Sequence, residues 1–223
     1  MLFLISGHFI NSGIELNLYQ YFSNPNHKKL MTMRKLILIA LVAIFSQLSV
    51  SAQTIWKSDK PHSKLAFTVT HLGISDISGL FKIFDVTITS SKPNFADAVF
   101  ELTADANSID TEVEMRDNHL KSPDFFDAAK FGNLTFKSTS IKPDGKDKYV
   151  LTGDLTIHGI TKPVSMSLLY RGNVINQMSK ANTAGFQLTG TLKRSDFNIG
   201  PKFPPPMVSD EVSIKADGEF IAK

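Results

Sequence analysis

The feature that most constrains the fold of this chain is a series of short segments in which apolar and polar residues alternate. In "KLAFTVTHL", residues 64–72, the alternation places Leu65, Phe67 and Val69 on one face and smaller or polar residues on the other. A period of two is typical of a strand with one buried face. The pattern therefore predicts a chain dominated by β-strands.

Eight such segments follow one another, separated by turns rich in Gly, Pro, Asn and Asp. An antiparallel all-β sheet of this size closes into a barrel or stacks as a sandwich. One segment near 111–131 lacks the alternation and is predicted to be a short helix. The predicted strands are 64–72, 80–89, 98–104, 134–141, 149–159, 163–172, 185–194 and 211–222, and 54–57 could add a ninth.

The N-terminal region predicts export. Residues 33–52 read as two positive charges, an apolar run and a small-residue cleavage pattern ending at Ala52, which is typical of a secretory signal peptide. The alternative, an uncleaved membrane anchor, is disfavoured because a span needs about 20 apolar residues. Residues 1–32 are interpreted as an artefact of an upstream start. The mature domain is then 53–223, periplasmic or secreted.

Charge and cysteine content exclude several classes of protein. Residues 53–223 contain equal numbers of basic and acidic side chains, so the basic surface that nucleic-acid binding requires is not expected. The chain has no cysteine. Disulfides, thiol catalysis and cysteine-ligated zinc are therefore excluded.

The mature segment is also poor in catalytic and metal-binding motifs. It has no GxSxG elbow and no glycine-rich phosphate loop. Its histidines are not spaced as the pairs that mark most metal sites, so we predict no metal, no cofactor and no catalytic residue. These histidines are His62, His71, His119 and His158.

Candidate binding residues concentrate in "RDNHLKSPDFF", residues 116–126. Arg116 and His119 are three apart and would share one face of a helical turn, where they could bind an anionic head group. Alternatively, Arg116 forms a salt bridge with Asp117 or another carboxylate. His71 lies on the inward face of its strand, either as a hydrogen-bonded core residue or as a ligand contact.

Five motifs in series resemble the YceI-like family, and together they cover essentially all of 54–223. The resemblance implies an extended antiparallel eight-stranded lipocalin-like β-barrel with an apolar channel. The motifs are "W-x2-D-x2-HS-x3-F-x3-HLGIS-x3-G-x-F" from Trp56 to Phe81, "RDNHL-x2-PDFFD-x8-F" at 116–136, "GDLTIHGITKPV" at 153–164, "G-x3-RSDFNIG" at 190–200 and "SDEVSIKADGEF" at 209–220.

The resemblance further implies an exported, non-enzymatic carrier. Its ligand would be a polyisoprenoid, an isoprenoid quinone precursor or another long amphiphilic lipid, held for transport or storage. Transient membrane contact and a homodimer are also implied. One departure, Phe131-Gly132-Asn133 where relatives often carry an aromatic-Pro step, alters a turn near the entrance.

Mapped onto this chain, the resemblance predicts polar contacts at the channel lip, one histidine inside it and phenylalanines along it. Arg194 is instead expected to be structural, pairing with Asp196 or Asp210. The predicted ligand-binding residues are Phe67, His71, Phe81, Arg116, His119, Phe125 and Phe126.

Two other functions fit the same residues. One is a secreted β-sandwich interaction domain with a solid core and no ligand cavity. The other is a lipid-acting enzyme that uses His119 or His71 as general base, although the sequence offers no nucleophile for it.

Overall fold

A computed structural model of the protein describes residues 52–223, together with Pro25, Asn26, Lys29, Met33 and Arg34, which are helical. The predicted signal peptide and residues 1–32 otherwise lie outside the described residues. The chain divides into two compact units, Met1–Ser51 and Ala52–Lys223, and the second is described below. Among the described residues, no helix combines the length and the apolar character needed to cross a membrane.

Eleven strands form one antiparallel sheet in the described domain, and eight of them close into a ring. The ring runs β1-β4-β5-β7-β8-β9-β10-β11, and β11 pairs back to β1. The strands are β1 (Thr54–Ser58), β2 (Lys64–His71), β3 (Ser75–Phe81), β4 (Phe84–Ser90), β5 (Val99–Asp105), β6 (Ile109–Asp110), β7 (Asn133–Pro143), β8 (Lys148–Ile157), β9 (Ile160–Ile175), β10 (Asn182–Lys193) and β11 (Glu211–Ala222).

This closure confirms the predicted eight-stranded antiparallel barrel. Two stacked sheets, as in the sandwich alternative, are wrong for this domain because the hydrogen-bonded ring has no break between sheets. A closed ring also removes the exposed strand edges that an open sheet would have to protect.

The long strand β11 pairs with two different strands along the same edge, first β2 and then β1. Its pairing with β1 ends at Ser58↔Phe220, and its pairing with β2 begins at Lys64↔Asp217. The connection 59–63 therefore crosses β11 at Gly218 and Glu219. Beyond this crossing, β2 pairs with β3, and β3 pairs with the short β6.

The prediction of one strand over 80–89 is wrong, because two strands, β3 and β4, separate at residues 82–83. The sequence "SDISGLF" of β3 conceals its strand character because Ser, Asp and Gly interrupt the apolar alternation. Gly79 has a packing reason: it lies opposite Phe67, whose ring would be 2.4 Å from a Cβ at that position. The glycine makes room for the aromatic ring.

The predicted helical segment is confirmed as one short α-helix within residues 52–223, α1 (Glu114–Lys121). Buried Asp117 anchors it, because Oδ1 accepts hydrogen bonds from the backbone N–H of Thr111 at 2.8 Å and from the Thr111 hydroxyl at 2.5 Å. Irregular turns over 122–132 then lead into β7. The helix therefore sits beside one open end of the barrel.

Aromatic side chains fill the opposite end of the barrel. Phe95 is only 2% exposed, and its ring centroid lies 5.2 Å from that of Trp56 and 5.0 Å from that of Phe186. Phe186 also makes edge contacts with Phe100 and Phe220. These rings form a solid aromatic plug, so the interior opens toward α1.

Candidate functional site

A channel occupies the barrel between the aromatic plug and α1. It has an outer section of about 360 Å³ beneath α1 and an inner section of about 140 Å³ that reaches the plug. Together they fall within the size range of small-molecule sites. The two sections meet at a waist of shared wall residues, Phe81, Leu134, Ile157, Leu192 and Ile214.

Polarity changes along the channel. The inner section is walled almost entirely by aliphatic and aromatic side chains, with Ser63, Lys64 and Asp217 where the 59–63 connection crosses β11. In the outer section the charged and polar residues are His71, Thr111, Arg116, His119, Lys193 and Arg194. The site therefore combines an apolar interior with a cationic mouth, which suits an amphiphile.

The structure brings all seven predicted ligand-binding residues to the wall of the outer section. Phe81 lies at the waist, where its ring centroid is 5.8 Å from that of Phe126 and 5.7 Å from that of Phe67. Ligand contact by these residues stays a prediction. The full set is Phe67, His71, Phe81, Arg116, His119, Phe125 and Phe126.

His71 lies less deep in the channel than its sequence pattern predicted. It is the last residue of β2 and is exposed, so it lies at the rim of the channel rather than inside it. A backbone bridge to Val208 holds this end of β2 against the loop that precedes β11. An exposed position at the rim does not fit a hydrogen-bonded core residue, and contact of His71 with a ligand stays a prediction.

Arg116 is held by Thr111 rather than by a carboxylate. Its Nε donates to Thr111 Oγ1 at 2.7 Å, and its Nη2 donates to the Thr111 carbonyl at 2.6 Å. The expected alternative, a direct salt bridge with Asp117, is wrong, because Thr111 stands between the two residues and bonds both. Among the described residues no carboxylate forms a salt bridge with Arg116, and the two bonds to Thr111 already fix its orientation at the mouth.

An aromatic lip joins α1 to the loop 200–207. Phe125 and Phe203 stack with centroids 4.8 Å apart, and His119 meets their edges at 5.1 and 5.5 Å. Below the rings, Lys202 donates to Asp124 at 2.7 Å, and this hydrogen bond is the main cause of the lowered pKa of Asp124. His119 Nε2 lies 3.5 Å from the same carboxylate.

Arg194 is structural, as expected, but it hydrogen-bonds neither of the expected partners. It is 7% exposed, and its hydrogen bonds go to backbone carbonyls, while Asp210 instead accepts from the backbone N–H and hydroxyl of Ser195. Burial acts to raise the pKa of Asp210, whereas hydrogen bonds from Ser195 and then the charge of Arg194 lower it, so Arg194 and Asp210 interact without bonding directly. The guanidinium has five N–H donors, and each finds a carbonyl. The five carbonyls are those of Ser209, Ile199, Gly200, Phe203 and Val208.

Several wall residues were not singled out from the sequence. Leu192 and Ile214 at the waist lie on the inward faces of β10 and β11, so strand alternation could have found them once the register was known. Phe203 and Met207 come from the proline-rich loop 200–207. No sequence period applies to a loop, so only the fold reveals their place at the mouth.

The hydroxyl groups of the described channel walls are not hydrogen-bonded to a histidine. The two hydroxyl groups there are those of Ser63 and Thr111. Ser63 donates to the Glu219 carbonyl and Thr111 donates to Asp117, so neither bonds a histidine. The enzyme alternative requires His71 or His119 as the base within hydrogen-bond reach of a nucleophile, and neither hydroxyl meets that requirement.

The fold and the channel define a lipocalin-like barrel, and comparison with known proteins identifies its family. A family model described as the YceI-like domain matches residues 56–220. Protein YceI of Escherichia coli O157:H7 is 38% identical over 165 residues, covering 73% of this chain and 85% of that protein. The chain therefore belongs to the YceI-like family.

Solved structures agree with this assignment. BcnA of Burkholderia cenocepacia has 30% sequence identity and a TM-score of 0.66, covering 73% of this chain and 98% of that one. The YCEI protein of Campylobacter jejuni has 31% identity and a TM-score of 0.63, covering 69% and 90%. A polyisoprenoid binding domain from Saccharophagus degradans shares the fold alone, at 15% identity and a TM-score of 0.57, covering 77% and 99%.

Proposed function

We propose that this protein is an exported carrier that holds one long-chain amphiphile in its channel, for transport or storage. The tail would run through the waist toward the aromatic plug, and the head group would stay among Arg116, His119 and His71. The observation that carries the proposal is the apolar channel with a cationic mouth. The shared fold with a domain described as polyisoprenoid-binding supports an isoprenoid tail.

Energetics favour binding that is led by the tail. Each buried methylene contributes about 0.8 kcal/mol, whereas association costs roughly 4–15 kcal/mol in lost freedom of motion. On the order of ten or more methylenes are therefore needed before a ligand binds tightly. A long isoprenoid or acyl chain meets that requirement, and the head group then mainly sets orientation.

The proposal does not require catalysis. The hydroxyl groups in the channel walls are engaged away from the histidines, and His119 is half-exposed beside Asp124. The channel would release its ligand unchanged. A non-enzymatic role is therefore part of the proposal, as is the homodimer that the family resemblance implied.

Transient contact with a membrane is also part of the proposal. Ile74 and Met115 are 85% and 82% exposed, and Leu72 and Met207 are about half-exposed. The backbone N–H of Leu72 donates to the Met207 carbonyl at 3.1 Å, which ties two of these residues together beside the mouth.

Ile74→Ser with Met115→Ser should slow lipid transfer between vesicles, whereas Met178→Ser in the distant β9–β10 turn should not.

A binding titration tests the head-group assignment. Delipidated protein is titrated with a polyprenyl phosphate and with the matching polyprenol. Arg116→Gln should weaken phosphate binding by about tenfold, the value of one charge-assisted hydrogen bond, and change polyprenol binding much less. Lys137→Gln on the outer barrel wall is the matched control, since Lys137 is exposed and pairs with Glu101. The proposal would be contradicted if neither the polyprenyl phosphate nor the polyprenol bound to the wild-type protein.

A further inference from the structure

A cluster of side chains with metal-ligand atoms lies outside the channel, where the pairing of β11 changes from β2 to β1. We propose that Asp59, His62 and Glu219 form a binding site for a divalent transition-metal ion, with Zn²⁺ the best match. Their ligand atoms all lie within 4.8 Å of one another. This site does not depend on the lipid-carrier function proposed above.

Local backbone geometry brings the first two ligands together. Lys60–His62 forms one turn of 3-10 helix, and in that geometry residues three apart eclipse each other. Asp59 and His62 are three apart, and His62 Nδ1 lies 2.8 Å from Asp59 Oδ2. The backbone N–H of His62 donates to the Asp59 carbonyl at 3.1 Å, which holds the turn closed.

The third ligand comes from β11 and is held by the backbone as well. Glu219 Oε2 lies 4.0 Å from His62 Nδ1. The backbone N–H of Asp59 donates to the Glu219 carbonyl at 2.8 Å, and the Ser63 hydroxyl donates to the same carbonyl at 3.4 Å. The two segments are therefore fixed to each other whether or not an ion is bound.

The spacing and the donor set both suit zinc. Zinc–ligand distances of 2.0–2.2 Å place neighbouring donors of a tetrahedral site about 3.4 Å apart. The measured 2.8 and 4.0 Å bracket that value, so small side-chain rotations would complete the site. One imidazole nitrogen and two carboxylates are donors that zinc accepts, and three protein ligands leave a fourth position for water.

The competing interpretation is a simple ion pair between protonated His62 and Asp59. A metal ion and a proton compete for the same imidazole lone pair, so the two states exclude each other. Lys60 in the same turn is directed to Asp85, 3.1 Å away, and does not neutralise the cluster. Asp59, His62 and Glu219 include a single histidine, so the spacing of histidine pairs in the sequence does not indicate this site.

Calorimetric titration tests the proposal. The purified full chain is stripped with EDTA and titrated with Zn²⁺ at neutral pH. One ion should bind per chain, His62→Ala should abolish this binding, and Glu219→Gln should weaken it by at least about tenfold. Lys60→Ala, in the same turn but not a ligand, is the matched control and should bind like the wild type.

Thermal melting supplies an independent readout. An ion that binds only the folded state raises the melting temperature with its concentration, and here it would clip the 59–63 connection to β11. The rise should occur in the wild type and Lys60→Ala, and disappear in His62→Ala. Absence of stoichiometric binding, or unchanged binding in both His62→Ala and Glu219→Gln, would overturn the proposal without affecting the lipid-carrier function.

Discussion

Arg194 is the residue that shapes the mouth of the channel. Its five donors bond carbonyls of the loop 200–207, which carries Phe203 and Met207, and of the residues that flank this loop. A buried cation normally has an anionic partner, yet here its hydrogen bonds all go to peptide dipoles. The residue therefore fixes the loop through backbone contacts.

Replacing Arg194 with lysine tests this role. Lysine has three donors on one nitrogen and cannot reach carbonyls on several sides, so buried carbonyls would lose their partners. The free energy of unfolding should fall by about 3 kcal/mol or more, measured by urea denaturation. The exposed neighbour Lys193 is the control, and Lys193→Gln should change stability by less than about 0.5 kcal/mol. A loss below about 1 kcal/mol in Arg194→Lys would contradict the assignment.

The structural role of Arg194 is predictable from its sequence, but its hydrogen-bond partners are not. A charge in "RSDF" suggests a neighbouring carboxylate, because opposite charges attract at any separation that the chain allows. The actual acceptors are backbone carbonyls, and every residue has one. Such partners leave no mark in the sequence. The same limit applies to Arg116, whose partner is a threonine.

Among the structural elements, the β4–β5 connection shows how a loop is fixed by one carboxylate. Asp97 accepts from the Ser90 hydroxyl at 2.5 Å and from the backbone N–H groups of Ser91 and Lys92 at 3.0 and 3.2 Å. Burial acts to raise the pKa of Asp97, but the hydrogen bonds from Ser90 and Ser91 outweigh it and hold that pKa well below its usual range. The folded state therefore favours the charged carboxylate.

This shift gives a pH dependence with a definite sign. A carboxyl whose folded pKa is depressed stabilises the fold above its unfolded pKa of about 3.9, and that stability is lost as the pH falls through the lower folded pKa. Asp97→Asn should lower the free energy of unfolding by about 1–3 kcal/mol at pH 7. In urea denaturation the difference from wild type should shrink at pH 3. An equal difference at both values would contradict this account.

The elements themselves were largely predictable, and the exceptions have physical causes. Segments with clear alternation, such as "YVLTGDLTI" in β8, became strands because one face is buried in the barrel. The strand β3 was missed because Gly79 interrupts its apolar alternation. This position needs glycine because a Cβ there would clash with the ring of Phe67. The alternation within one segment does not show where a neighbouring strand requires a small residue.

The described domain, residues 52–223, is a barrel with one solid end and one open end. The solid end is the aromatic plug around Phe95, and the open end is bordered by α1 and the loop 200–207. Alternation predicts which residues face inward, but it does not say whether they meet or leave space between them. That difference depends on side-chain volumes across the barrel, and it separates a ligand channel from a filled core.

The central claim is that this channel holds a long amphiphile, and native mass spectrometry tests it most directly. The full chain is expressed, purified without detergent and weighed intact, and its ligand is then released by organic extraction. The account predicts one long-chain lipid per chain. Leu192→Trp, which narrows the waist, should reduce its occupancy or select a shorter chain. An unliganded mass that takes up neither polyprenyl nor fatty-acyl lipids would contradict the account.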